Sequence, residues 1–305
     1  MQHQQELRAR MEREPVLFVH RELEAFLDPA RAELAALVGC DGDDLAFVPN
    51  ATTGVNTVLR SLRFQPGDEL LTTDHEYNAC RNVLDYVANQ WGARVVTAAV
   101  PFPLQDPQQI TDAVLDAVTD RTRLLLIDHI TSPTGIVQPI GPLVQSLRAR
   151  GIETLVDGAH APGMVPLALA SLGVAYYTGN CHKWLCTPKG SALLYVRRDL
   201  QAGIRPLAIS HGANSPRTDR SRFRLEFDWL GTDDATAFLC VPVAIRHLAS
   251  LVPGGWDAIR TRNRAMALAG RAAVCAALGV EPPCEERLVG CMASIPLPEA
   301  PAGRA

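Results

Sequence analysis

Only two lysines, Lys183 and Lys189, occur among the 29 basic residues of this 305-residue chain; the other 27 are arginine. Aromatic residues are sparse at 6%, and neither sign of charge dominates, since 33 acidic residues leave a net charge of -4. That balance gives no electrostatic footprint for nucleic acid or an anionic membrane. Long apolar runs are missing too. The most apolar long stretch, Thr154 to Tyr177, is broken by Asp157, His160, Pro162, Gly163 and Pro166, which a bilayer helix does not tolerate together. The eight cysteines form no CxxC pair and no zinc-type spacing; Cys181-His182-x3-Cys186 comes nearest and lacks a second half. Scattered thiols of this kind fit a reduced, cytoplasmic protein. The first fifteen residues are polar and charged, without the apolar segment of a secretory signal.

What is present is an ordinary globular balance, 47% hydrophobic and 20% charged, at a length that suits roughly two domains of ~150 residues. Short β-branched or aliphatic runs at 69–73, 94–100, 123–130, 154–156, 175–178 and 192–196 alternate with helical stretches at 53–62, 79–90, 108–117, 140–150 and 167–172. Such alternation predicts an α/β fold around a central, mostly parallel sheet. Residues 21–37 also have helical period, with Asp28-Pro29 as an internal start signal. After Gly231 the texture changes. Residues 234–251 and 256–278 read as two helices, followed by Pro282-Pro283 and one candidate strand at 288–295.

Four polar clusters sit where predicted strands end, the edge at which open α/β sheets hold ligands. Asn50-Ala51-Thr52-Thr53-Gly54 opens a helix and suits an anion such as phosphate, or simply a threonine cap. Asp157-Gly158-Ala159-His160 puts a carboxylate at the sheet edge with small residues beside it. Thr178-Gly179-Asn180-Cys181-His182-Lys183 puts one of the two lysines at the next strand end. Partial desolvation there would favour the neutral amine that imine chemistry needs, a role arginine cannot fill. Asp74-His75-Glu76-Tyr77 offers a flat imidazole that could stack on an aromatic ligand. A reactive lysine, an aspartate for a pyridine nitrogen and a phosphate-binding helix end together match the needs of pyridoxal 5'-phosphate.

The strings DHEYNAC, HITSPTG, DGAHAPG, YYTGNCHKWL and WLGTDD, spread from Asn50 to Asp234, also resemble the class V aminotransferase group of fold-type-I pyridoxal-phosphate enzymes. The isopenicillin N epimerase-like branch is the most similar. The resemblance implies a large cofactor-binding domain over residues 1–250, followed over 251–305 by a linking helix and the first part of a truncated small domain. It implies Lys183 as the Schiff-base lysine, Asp157 as partner of the pyridine nitrogen, and His160 at the cofactor's phenolic oxygen. By the same resemblance His75 stacks on the ring, while Ala51, Thr52, Thr178 and His182 contact the phosphate. Ser132 stands where many relatives carry a cofactor-facing Asn. Gly231-Thr232 resembles a segment that reaches the neighbouring subunit's phosphate, which implies a homodimer with shared active sites. The expected substrate is small and amino-acid-like, and the expected chemistry at its Cα is epimerisation or C–S cleavage. Three departures from the family pattern stand out: no Asn-His-Gly-type motif precedes Met11, Asp233 replaces a common arginine, and the expected small domain is represented only by its first part, without the arginine that clamps a substrate carboxylate. They keep open a second reading, a catalytically impaired or non-catalytic protein of this fold, or a fragment lacking the substrate-binding ends.

Overall fold

A computed structural model describes residues 1–297. Seven strands form one sheet: β1 (Leu45–Val48), β2 (Glu69–Thr73), β3 (Arg94–Ala98), β4 (Thr122–Asp128), β5 (Glu153–Asp157), β6 (Tyr176–Asn180) and β7 (Ala192–Val196). Their order is β1-β7-β6-β5-β4-β2-β3. The pairs from β3 through β2, β4 and β5 to β6 are parallel, and β7 alone runs against its neighbours β6 and β1. The alternation along β4 shows why the sheet is sandwiched. Leu124 and Leu126 point into one core, with Val55, Val58 and Leu84, whereas Leu125 and Ile127 point into the other, with Leu34, Leu143 and Val156. Burial on both faces is what a near-continuous aliphatic strand requires. Because the central strands are parallel, their carboxyl ends lie along one edge. Asp128, Asp157 and Thr178 are side-by-side register partners there.

Three differences from the sequence reading have physical causes. β1 is only four residues long, below the length at which a period is readable. Pro29 does not start a helix: the helix Leu23–Val38 runs through it, because Leu23, Leu27, Ala30, Leu34 and Val38 are buried as one stripe. The candidate strand at 288–295 is not a strand. A 3-10 turn at Glu286–Leu288 leads into a single bridge between Val289 and Ile136, and the chain then packs against Met164. Gly290 packs so closely that a Cβ there would come 2.6 Å from Met164 Sδ. The helix Gly255–Leu278 buries only Arg271 and Cys275. No single helix among the described residues is long and apolar enough to cross a membrane.

Arginine also works inside the fold. Arg31, 2% exposed, donates to the Leu45 carbonyl at 2.7 Å and pairs with Asp228 at 2.5 Å. Arg224 bonds Asp28, Asp43 and Asp228. These bonds fasten the helix Leu23–Val38 to the segment Arg222–Phe227 and the Asp228 that follows it, which leads towards Thr232.

Candidate active site

A cavity of about 210 Å³ opens at the carboxyl edge of the sheet. It collects Ala51, Thr52, Ser132, Asp157, His160, His182 and Lys183 from the sequence-predicted set, together with Asn50, Tyr77, Asp128, Ala159 and Asn180. A larger cleft of about 360 Å³, lined by His20, Arg217 and Trp229 among others, includes neither lysine.

One wall is the start of the helix Ala51–Ser61. Asn50 caps it, its Oδ1 accepting from the Thr53 amide at 2.8 Å and the Thr53 hydroxyl at 3.0 Å. The Ala51 amide donates to Asn180 Oδ1 at 2.9 Å, which pins the helix end to the end of β6. Close seating on β6 depends on Gly54: a Cβ there would lie 2.2 Å from Thr178 Oγ1. Among the described residues no protein group engages the Thr52 hydroxyl beside the helix end, so the positive end of the dipole retains a free donor there. His182 Nδ1 donates to the Ser191 carbonyl at 2.8 Å, leaving Nε2 as the uncommitted nitrogen.

Opposite lies Asp157, 1% exposed at the end of β5. The Ala159 amide donates to its Oδ1 at 2.9 Å, and the Cys80 thiol donates to its Oδ2 at 3.1 Å. Burial pushes this carboxyl up, and both donors and the nearby Lys183 oppose the shift. Asp128, also lining the cavity, is raised well above the usual range, first by burial and then by the neighbouring Glu76 and Asp157.

Between the walls, Lys183 Nζ lies 2.9 Å from His160 Nε2. The Trp184 indole N–H, which can only donate, is 3.5 Å from His160 Nδ1. The tautomer that satisfies both contacts carries its proton on Nε2 and donates it to the lysine. The lysine then accepts through its lone pair. Lys183, exposed at the cavity mouth, is brought below the ordinary lysine range by partial desolvation against the opposing pull of Asp157 and Asp128, and burial and the Lys183 charge together bring His160 down to about 4. A neutral imidazole facing a neutral amine is the state a lysine nucleophile requires. Lys189 is exposed on the turn beyond.

Three residues singled out from the sequence lie apart from the cavity lining. His75 is 9% exposed, its Nδ1 3.1 Å from Thr134 Oγ1 and its ring edge-on to Phe102; Tyr77 is the aromatic side chain that lines the cavity. The Thr178 hydroxyl is spent on the Leu193 carbonyl at 2.9 Å, so its direct role is to seat Gly54. Thr232 sits in an exposed loop beyond Trp229. Sequence reasoning missed Asp128, Asn180, Cys80 and Tyr77. Asp128 carried the same signal as Asp157, an acid closing an aliphatic strand.

The donor set passes a test of fit for a one-ring phosphate ester. The helix end with Thr52 suits the phosphate, Lys183 suits a carbonyl carbon, and Asp157 suits a protonated ring nitrogen. The cavity is smaller than the roughly 300–1,000 Å³ of drug-sized sites. A mostly parallel sheet with a lysine and an aspartate converging at its carboxyl edge defines the fold-type-I pyridoxal-phosphate class. Residues 3–266 match the aminotransferase class-V family, and the chain belongs to it. It is 38% identical to an isopenicillin N epimerase of Streptomyces clavuligerus over 84% of this chain and 66% of that protein. It is 30% identical to a probable chloroplastic L-cysteine desulfhydrase of Arabidopsis thaliana over 85% of this chain and 57% of that protein. Thus the chain spans just under two thirds of the first relative and little more than half of the second. Among solved structures, the cystine C–S lyase C-DES in complex with cysteine persulfide superposes with a TM-score of 0.75 at 23% identity, over 87% of this chain and 71% of that one.

Proposed function

We propose that this protein binds pyridoxal 5'-phosphate and acts at the Cα of a small amino-acid-like substrate, by epimerisation or C–S cleavage. The observation that carries the reading is the Lys183 amine, held against His160 in the same cavity as the buried Asp157 carboxylate. Lys183 would hold the cofactor through its amine and would serve as the base for the Cα proton. Asp157 holds the ring nitrogen protonated, the condition under which the bound cofactor draws electrons from Cα. Ala51, Thr52 and His182 hold the phosphate, with His182 donating from Nε2 when protonated. His160 contacts the amine and would lie near the ring oxygen, Ser132 would border the ring, and Tyr77 would supply an aromatic wall.

The likeness to an epimerase is the greater, and the desulfhydrase relative keeps C–S cleavage beside it. A persulfide route through Cys284 or Cys291 is disfavoured, because burial pushes both thiols up and makes them poor nucleophiles. The eight cysteines are all unpaired, which suits a cytoplasmic setting. The exposed Thr232 loop suits a homodimer in which it reaches the partner's phosphate.

The test is incubation of the cofactor-loaded protein with amino acids, including sulfur-containing ones, in deuterated water. Deuterium at Cα with loss of optical activity supports epimerisation, and release of sulfide or a thiol supports C–S cleavage. A cofactor-loaded protein that gives neither would support the impaired reading instead.

A further inference from the structure

Two buried acids that the proposed chemistry does not use, Glu76 and Asp128, pack beside Asp157. Glu76, 6% exposed, follows β2; Asp128 and Asp157 end β4 and β5 at 2% and 1% exposure. Ligand atoms of Glu76, Cys80 and Asp157 all lie within 4.8 Å of one another. Neither carboxyl oxygen of Glu76 has a hydrogen-bond partner, and Asp128 Oδ2 has none. The groups facing Glu76 are the two aspartates, the Cys80 thiol and, more distantly, Arg81 on the helix Asn78–Trp91. The backbone amides of Tyr77 and Asp128 lie near enough to favour its charged form without closing a bond. Tyr177, wholly buried on β6, is a neutral phenol beside Asp157. The nearest amine, Lys183, presents its lone pair to His160.

Three carboxylates packed this way without a buried cation cannot all ionise. Asp157 alone receives two hydrogen bonds, so the charge settles there. We propose that Glu76 is a positioning residue held as a neutral carboxylic acid, so that with neutral Asp128 the cluster carries one negative charge, placed on Asp157. The consequence rests on the reading above: a protonated ring nitrogen meets one anion, and Lys183 is spared a second and a third that would keep it an ammonium. Burial and the neighbouring Asp157 both raise the Glu76 carboxyl well above its ordinary range, in agreement with that geometry.

Glu76→Gln, a neutral replacement of the same shape, tests this in two ways on the full chain. In the first, urea unfolding without cofactor is followed from pH 5 to pH 8. The unfolded glutamate loses its proton above its ordinary value and the folded one keeps it, so the wild type loses stability as pH rises. Its unfolding constant should grow relative to the variant by up to about tenfold per pH unit, with a constant ratio at lower pH. A pH-independent ratio across the range overturns the proposal, and a fixed offset from lost packing does not mimic the slope. In the second, the visible band of the cofactor-loaded protein is titrated. The midpoint should be the same in both proteins, because one neutral group replaces another; a lower midpoint in the variant means Glu76 was an anion and overturns the proposal. A wild type that takes up no pyridoxal 5'-phosphate refutes the functional reading instead, and the unfolding slope still decides the state of Glu76.

Discussion

Replacing Gly54 by alanine sets two effects of opposite sign against each other. Gly54 lies inside the helix Ala51–Ser61 and its φ is not positive, so alanine favours the helix by about 1 kcal/mol. The added methyl would, however, sit 2.2 Å from Thr178 Oγ1 and 2.8 Å from Thr178 Cβ. Thr178 is wholly buried, and rotating it away would break its hydrogen bond to the Leu193 carbonyl. Overpacking costs about 1–3 kcal/mol and an unsatisfied buried group about 1–3 kcal/mol. The clash wins, with a net loss of about 1–5 kcal/mol. Urea denaturation of Gly54→Ala should show a lower midpoint at unchanged slope. Adding Thr178→Ala removes the hydroxyl contact and should make the pair less damaging than the sum of the singles, by about 0.5–3 kcal/mol. Because the same helix end is tied to Asn180, the single variant should also bind pyridoxal 5'-phosphate more weakly. A Gly54→Ala protein as stable as wild type, within about 0.5 kcal/mol, would refute the claim that close seating of this helix builds the phosphate end.

Trp184→Phe removes the indole donor that fixes the His160 tautomer. Without cofactor, the pH midpoint for acylation of Lys183 should then move upward, and an unmoved midpoint would contradict the neutral-amine assignment. Asp157→Asn should still take up pyridoxal 5'-phosphate while losing Cα–H exchange by at least about tenfold, as expected for a lost charge-assisted hydrogen bond of about 1.5–3 kcal/mol; full exchange would contradict its role. Arg31→Met leaves Asp228 buried without its main partner and should cost about 3–5 kcal/mol by urea unfolding, a loss that a surface pair would not show. Asp28 is held down to about 2, chiefly by hydrogen bonds from Arg220 and Arg224. Its contribution is present above the ordinary aspartate range and lost as pH falls through about 2. Being partly exposed, it gives about 1 kcal/mol after screening, so Asp28→Asn should be weaker at pH 7 and equal to wild type near pH 2.

Much of the site was legible because parallel strands deliver their carboxyl ends to one edge. Asp157, His160, His182 and Lys183 each follow an aliphatic run within a few residues, and the topology brings them together without further information. Asp128 was hidden by a boundary: with the strand extended to residue 130, the acid falls inside it, whereas β4 stops at Asp128. Burial of Glu76 and Cys80 was not legible at all, since it depends on packing under β4 and β5. That Tyr77 lines the cavity and His75 does not turns on which side chain of one turn faces it, and a string of residues does not encode that. The segment at 288–295 has the composition of a strand, yet a strand forms only where a neighbour offers an edge, and Ile136 offers a single bridge.

The central claim is that Lys183 is the amine that carries the cofactor. Loading the protein with pyridoxal 5'-phosphate, reducing with borohydride and mapping the adduct by peptide mass spectrometry tests it directly, with exposed Lys189 as an internal control. The account predicts stoichiometric modification of Lys183 with Lys189 untouched. Modification of Lys189 instead, or of both lysines equally, would contradict it.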